Sequence, residues 1–211
     1  MLTHTVCGEK LTLLPEKAVW WDTQKMLVIA DLHLGKSMHF RKAGIPIPLI
    51  SQHKDFTALE KLLQITGLEQ VVFLGDLFHS AYNSDWEILG EIVNRHRHLR
   101  WILVQGNHDI LQESHYRRFG FEVFDCIRCG PFILSHEEQE NPDGYNIFGH
   151  IHPGVKLEGK GRQSLRLPCF FFTENWAVLP SFGKLTGLYS LYPKKTDCVF
   201  VVANGKIMRM N

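Results

Sequence analysis

Met26-Leu27-Val28-Ile29-Ala30-Asp31-Leu32-His33-Leu34-Gly35 sets the pattern by which the rest of the chain is read. Five apolar residues run without interruption and then stop at an acid, an imidazole and a glycine. A run of this length closed by turn residues predicts a buried strand that ends in a polar loop. The same grammar returns at Val71-Val72-Phe73-Leu74 before Gly75-Asp76, and at Trp101-Ile102-Leu103-Val104 before Gly106-Asn107-His108-Asp109. It returns again at Phe132-Ile133-Leu134 before Ser135-His136, and at Tyr145-Asn146-Ile147-Phe148 before Gly149-His150-Ile151-His152. Each of these five expected strands ends in side chains able to bind a metal.

Helical spacing fills the gaps between the first three strands, over Ile50 to Thr66 and over Ser84 to Leu99, the second opened by Ser84 and Asp85 as caps. Strand, helix, strand, helix, strand predicts an α/β fold with parallel pairing. In open α/β sheets reactive groups gather at the carboxyl ends of strands, so the five loops are expected to converge on one site. Downstream, Phe121 to Phe124, Leu165 to Phe172, Trp176 to Leu179, Gly187 to Tyr192 and Cys198 to Ala203, with a turn at Asn204-Gly205, predict a second, more antiparallel sheet. No repeat, low-complexity tract or linker interrupts the texture, and one domain over residues 1–211 is expected.

Composition narrows the function classes. The chain has 23 Lys plus Arg against 22 Asp plus Glu, so polyanion binding must come from a local patch. Its apolar runs fall far short of the roughly 20 residues of a membrane span. The start, Met1-Leu2-Thr3-His4-Thr5, lacks the basic and apolar regions of a signal peptide, and a cytoplasmic location follows as the default. Five cysteines, of which Cys126 and Cys129 are close, support neither a disulfide framework nor a four-cysteine zinc site.

Twelve histidines are many for a chain of this length, and their placement carries the chemistry. Asp31, His33, Asp76, Asn107, His136, His150 and His152 make a set of two carboxylates, one amide and four imidazoles on the expected loops. That set suits two divalent ions. Oxygen and imidazole donors without thiolate favour Mn²⁺, with Fe²⁺ or Zn²⁺ as alternatives. Two ions about 3.5 to 4 Å apart need a bridging anion, and Asp76, the lone carboxylate on the middle strand of the first three, is the natural bridge.

In this order the blocks Asp-x-His, Gly-Asp, Gly-Asn-His-Asp, His and Gly-His-x-His resemble the calcineurin-like metallophosphoesterase superfamily. The resemblance implies a four-layer αββα sandwich. It implies Asp31, His33, Asp76 and His152 on one metal, and Asp76, Asn107, His136 and His150 on the other. It further implies that His108, not itself a ligand, stabilises the transition state or protonates the leaving oxygen, with Asp109 orienting it. Metal-ion physics then predicts in-line attack on phosphorus by a hydroxide bridging the two ions.

The chain departs from the serine/threonine protein phosphatases, reading Gly75-Asp76-Leu77-Phe78-His79-Ser80 where those carry Gly-Asp-x-x-Asp-Arg-Gly, and Asp109 where they carry glutamate. Ala30-Asp31-Leu32-His33-Leu34-Gly35-Lys36, Phe40-Arg41-Lys42-Ala43-Gly44-Ile45-Pro46 and Leu74 to Ser80 are instead similar to the bacterial ligase-associated DNA damage response endonucleases. That similarity implies a manganese-dependent phosphodiesterase and DNA endonuclease working beside a DNA ligase and a helicase. Lys36, Arg41 and Lys42, and then Lys156, Lys160, Arg162 and Arg166, form two basic clusters expected to rim the site, as phosphate contacts or as solvated loop and hairpin edges. Lys36, Arg41 and His79 are the candidate substrate contacts, with His39 a weaker one. Trp20-Trp21 and Phe170-Phe171-Phe172 read as core, and His4, His53 and His115 as surface. Two other readings stand beside this one: a nucleotide or nucleotide-lipid pyrophosphohydrolase of the same fold, and a non-catalytic protein-binding scaffold.

Overall fold

The computed structural model describes residues 1–36, 50–78, 84–140, 142–159 and 163–210. Its first sheet runs in sequence order: β1 (Leu2–Val6), β2 (Glu9–Leu14), β3 (Ala18–Trp21), β4 (Met26–Ala30), β5 (Gln70–Leu74), β6 (Arg100–Val104) and β7 (Phe121–Phe124). The first four strands are antiparallel hairpins, and β4 to β7 are parallel. Parallel neighbours need a crossover, and helices α1 (Ile50–Leu62), α2 (Ser84–Arg95) and α3 (Glu113–Arg118) lie in the connections.

The second sheet comprises β8 (Cys126–Cys129), β9 (Phe132–Ser135), β10 (Tyr145–Phe148), β11 (Pro153–Glu158), β12 (Ser164–Phe172), β13 (Trp176–Val178), β14 (Tyr189–Ser190), β15 (Cys198–Ala203) and β16 (Lys206–Arg209). Most of its pairs are antiparallel, but β10 lies parallel to both β9 and β13. Asn204 and Gly205, both with positive φ, close the β15–β16 hairpin as the Asn-Gly pair requires.

Period-two burial explains how the layers stack. On β4, Leu27 and Ile29 join Val71, Phe73, Trp101 and Leu103 in one core beneath the helices, which contribute Phe56, Leu59, Trp86, Leu89 and Tyr116. Val28 and Ala30 face the other way, and with Val72, Leu74, Ile102 and Val104 they meet Phe132, Leu134, Ile147, Phe170 and Phe172 of the second sheet. The Phe170–Phe172 run is therefore core. Trp21 is buried in the same inter-sheet core, while Trp20 packs from the rim of the first.

Three sequence expectations change. Phe121–Phe124 joins the first sheet, not the second, because α3 returns the chain parallel to β6. Among the described residues every helix that enters a core packs on the first sheet, so helices, sheet and sheet supply three layers of the expected αββα order. On the outer face of the second sheet the partly buried Ile151, Leu167, Trp176 and Leu191 pack against the cluster formed by Phe148, Val155, Phe171 and Val178. His4 is half-buried, its ring set against Phe172 and Phe200 with centroids 4.5 and 5.0 Å away. The described cysteines are all free thiols. No described helix is long and apolar enough to cross a membrane.

Candidate metal centre

Because Ala30 pairs with Leu74 and Leu74 with Val104, β4, β5 and β6 end level with one another. Their loops leave the sheet side by side, and the ladder continues past the strands: the His33 amide donates to Asp76 O (2.8 Å) and the Leu34 amide to Leu77 O (2.9 Å). Facing them across the sandwich are His136, directly after β9, and His150 and His152, after β10.

Two clusters result. Asp31, His33 and His152 form one, and Asp76, His136 and His150 the other, each with its candidate ligand atoms within 4.8 Å of one another. His33 Nε2 and His152 Nε2 stand 3.0 Å apart, as do His136 Nε2 and His150 Nδ1. Asp76 reaches toward both clusters, with Oδ2 3.6 Å from His33 Nε2 and Oδ1 3.4 Å from His136 Nε2. His136 Nδ1 donates to Leu74 O at 3.0 Å, and a carbonyl only accepts, so the Nε2 lone pair points into the centre.

The electrostatics agree with a cation site. Asp31 and Asp76 are both almost fully buried. Burial, and then the neighbouring charge of Asp76, push the Asp31 carboxyl well above the usual carboxylate range. Burial lowers His136, and burial followed by the Lys36 charge lowers His152 to about 4, so these imidazoles are neutral, the form in which histidine ligates. A divalent ion in each cluster would relieve the carboxylate repulsion, and the donor set fits two such ions.

Close backbone approach makes the arrangement possible. A Cβ on Gly106 would lie 2.4 Å from the Asp76 nitrogen, and one on Gly75, whose φ is +74°, would lie 2.2 Å from His136 Nδ1. Further supports surround the ligand loops. The Asp31 carboxylate accepts the His150 amide at 2.9 and 3.1 Å, and the Asp76 carboxylate accepts the His108 amide at 2.9 Å. Asp109, buried, takes the amides of Leu77 (3.0 Å) and Phe78 (3.3 Å) on one oxygen and that of Gly106 (2.9 Å) on the other, tying the second and third loops together. Burial pushes its carboxyl up to about 7 against the pull of those amides.

The remaining sequence candidates fall as follows. Asn107 and His108 are exposed on the loop after β6, the His108 ring 5.6 Å from that of His33. Lys36 is half-buried within the field of Asp31 and Asp76. Arg41, His79, His39, Lys42, His53, Lys160 and Arg162 lie outside the described residues or have undescribed side chains. Lys156 pairs with Glu158 at 2.9 Å, Arg166 donates to Leu188 O at 3.1 Å, and His115 is exposed.

Three supporting residues escape a motif-based reading. Ser181 Oγ donates to Asp31 O at 2.8 Å, and the Gly183 amide donates to the same carbonyl at 3.2 Å. Asp85 is fully buried and accepts the Gly35 amide at 2.7 Å, so it braces the first ligand loop in addition to opening α2. Glu137 places Oε1 3.7 Å from His150 Nε2. The Pro180-Ser181-Phe182-Gly183 turn is the one local signal that could have flagged the first of these.

The family model of calcineurin-like phosphoesterases matches residues 24–177, and the chain belongs to that family. It is a metal-dependent phosphoesterase. Its structure is similar to the crystal structure of the nuclease MPE of Pseudomonas putida, with a TM-score of 0.82, 26% identity and 99% of each chain covered. A protein of unknown function from Aquifex aeolicus matches at a TM-score of 0.42 and 19% identity, over 65% of this chain and 82% of the other. No protein with a curated description matches the sequence.

Proposed function

We propose that this chain is a two-metal phosphodiesterase whose substrate is DNA. The observation that carries the proposal is Asp76, whose two carboxylate oxygens face different histidine clusters at 3.6 and 3.4 Å. Asp31, His33, Asp76 and His152 would hold one divalent ion, and Asp76, Asn107, His136 and His150 the other. The thiolate-free donor set supports manganese, with iron(II) or zinc as alternatives. When bound, the two ions supply Lewis acidity for the phosphoryl oxygens and an acidified water as nucleophile.

The protein's own groups do the rest. His108, exposed at the mouth and fixed through its amide to Asp76, gives a proton to the oxygen that departs as the P–O bond breaks. Asp109 keeps that loop in place through the Leu77, Phe78 and Gly106 amides. Lys36, within the field of both carboxylates, contacts the substrate phosphate, and Arg41 and His79 are the further contacts proposed.

DNA as substrate is supported by the nuclease of similar fold, which matches along its whole length. The likeness of the Ala30–Lys36 and Leu74–Ser80 segments to ligase-associated endonucleases supports a place in bacterial DNA repair beside a ligase and a helicase, in the cytoplasm.

The test uses metal-stripped protein resupplied with manganese, with bis-p-nitrophenyl phosphate, p-nitrophenyl phosphate and a DNA oligonucleotide as substrates. Diester and oligonucleotide cleavage that needs metal, and that falls in His108→Ala while both metals stay bound, is the expected result. Cleavage of the monoester alone, or loss of metal from His108→Ala, would overturn the proposal or the role given to His108.

A further inference from the structure

The outer face of the second sheet carries a groove that begins at the metal centre. It has a volume of about 420 Å³, and its walls include Glu137, His150, Ile151, Trp176, Tyr189 and Leu191. His150 belongs both to this wall and to the Asp76 cluster, so a phosphodiester held at the centre directs one of its substituents into the groove. Trp176 and Leu191 also line a second hollow of about 310 Å³ bearing Tyr192 and Lys194, which extends the track away from the metals.

We propose that this groove is a base-binding subsite, in which the nucleoside adjoining the cleaved phosphodiester lays its base against Tyr189. The inference rests on the phosphodiesterase reading and names the substrate group that the site takes beside the phosphate. Three observations carry it. Tyr189 is a flat aromatic ring left 63% exposed, and Tyr192, farther along, is 83% exposed. Rings of this kind stack on any base without reading its sequence.

Second, the Tyr189 backbone is tied to the metal loop. Its amide donates to the carbonyl of His152 at 3.0 Å, its strand β14 pairs with β11, and the Leu191 amide donates to Gly154 O at 2.9 Å. A platform pinned to a candidate ligand's own backbone needs little ordering when a base arrives.

Third, the charges discriminate between the parts of a nucleotide. Glu137 and Glu138 line the groove, and among the described residues no lysine or arginine does, so its walls disfavour a phosphate. An uncharged ring bearing amino donors suits the same walls, which offer apolar Ile151 and Leu191 beside the two carboxylates.

The experiment measures inhibition of manganese-dependent bis-p-nitrophenyl phosphate hydrolysis. Deoxyadenosine 5′-monophosphate is compared with 2-deoxyribose 5-phosphate, in the parent, Tyr189→Ala and Tyr189→Phe. One stacked base is expected to tighten inhibition by about 5- to 150-fold. Tyr189→Ala should lose most of that preference and Tyr189→Phe should keep it, with inhibition by the abasic sugar phosphate the same in all three. The Tyr189 amide that donates to His152 O survives in both variants, so a structural role of the ring would show instead as a shift in the abasic inhibitor and in metal retention. Equal inhibition by the two compounds in the parent, or a preference that survives in Tyr189→Ala, overturns the inference and leaves the apolar face to a protein partner. Oligonucleotide cleavage together with equal inhibition by the nucleotide and the abasic sugar phosphate defeats this inference alone. A base preference without any DNA cleavage supports the groove and defeats the choice of DNA as substrate.

Discussion

Gly106→Ala places one methyl group where the second and third ligand loops touch. The added carbon would lie 2.4 Å from the Asp76 nitrogen, 2.6 Å from Asp76 Oδ1 and 2.9 Å from the Gly75 Cα. Two of these neighbours are backbone atoms and the third is the carboxylate that faces both histidine clusters, so no flexible side chain can give way. Opening the shortest contact to 3.4 Å, where ordinary van der Waals contact begins, requires a displacement of 1.0 Å (3.4 minus 2.4). Overpacking of this kind costs about 1–3 kcal/mol, or roughly 2–12 °C in Tm for a chain of this size. The larger effect falls on turnover, because a misplacement of about 1 Å costs roughly 100-fold in rate. The assay is manganese-dependent hydrolysis of bis-p-nitrophenyl phosphate beside a thermal melt, with Gly159→Ala as control. A Cβ at Gly159 would meet only ordinary contacts at 3.7 Å and beyond. A Gly106→Ala protein whose kcat stays within twofold of the parent would refute the claim that loop contact at Gly106 fixes Asp76.

Removing metal should destabilise the protein. At a metal concentration 100-fold above Kd each bound ion adds about 2.7 kcal/mol, so chelating both should lower Tm by roughly 11–22 °C, read by scanning calorimetry. Asp76→Asn should cut the bound manganese, measured by elemental analysis, by more than Asp31→Asn does, since Asp76 faces both clusters; equal losses would count against a bridging role. Asp55, which shares a small hollow with the His33–Lys36 loop, tests the electrostatics of a buried carboxyl outside the two clusters. It is 8% exposed, one oxygen has no hydrogen-bond partner, and burial raises its carboxyl to about 6. Here the folded value lies above the unfolded one, so the native state binds the extra proton and stability falls as pH rises from about 4 to 6. The size of that fall is bounded by roughly 3 kcal/mol at 1.36 kcal/mol per unit. Asp55→Asn should flatten the slope in urea melts at pH 4.5 and 7, and an unchanged slope would show that Asp55 is solvated.

The parts of the molecule legible in sequence are those whose signal is local. Uninterrupted apolar runs such as Met26–Ala30 and Val71–Leu74 can only be strands buried on both faces, and ligand-capable residues directly after them must lie at strand ends. Asp31, His33, Asp76, His136, His150 and His152 are for that reason expected side by side, and they lie in the two clusters. What stayed hidden depends on partners far along the chain. Phe121–Phe124 has the same texture as a strand of either sheet, and its place is decided by α3, a six-residue helix too short to show a period. The β1–β3 hairpins alternate half-buried and exposed residues without a strong apolar run. Ser181 meets Asp31 across 150 residues, and Asp85 meets Gly35 across 50. Tyr189 belongs to a two-residue strand with no pattern of its own, and only its place on a sheet face that no described helix covers makes its exposure informative.

Backbone conformation shows what the fold does for the site. Nine described residues other than glycine have positive φ, and five of them are Asp31, His33, Asp76, His150 and His152, with φ between 50° and 65°. Aspartate and histidine visit this left-handed region more readily than most residues, yet each still costs about 1–2 kcal/mol. Five such residues amount to roughly 5–10 kcal/mol, comparable to the whole stability of an ordinary domain. No local sequence would hold these loops in that shape. They are held by the ladder from His33 to Asp76 and Leu34 to Leu77, by Asp31 accepting the His150 amide, and by Ser181 and Asp109 at either side. All of these bonds hang from strands in register at the carboxyl ends of β4, β5 and β6. The stiff, doubly buried strands therefore have a chemical purpose beyond packing: they hold turns that the chain disfavours, so that carboxylates and imidazoles from opposite sheets face one another before any cation arrives.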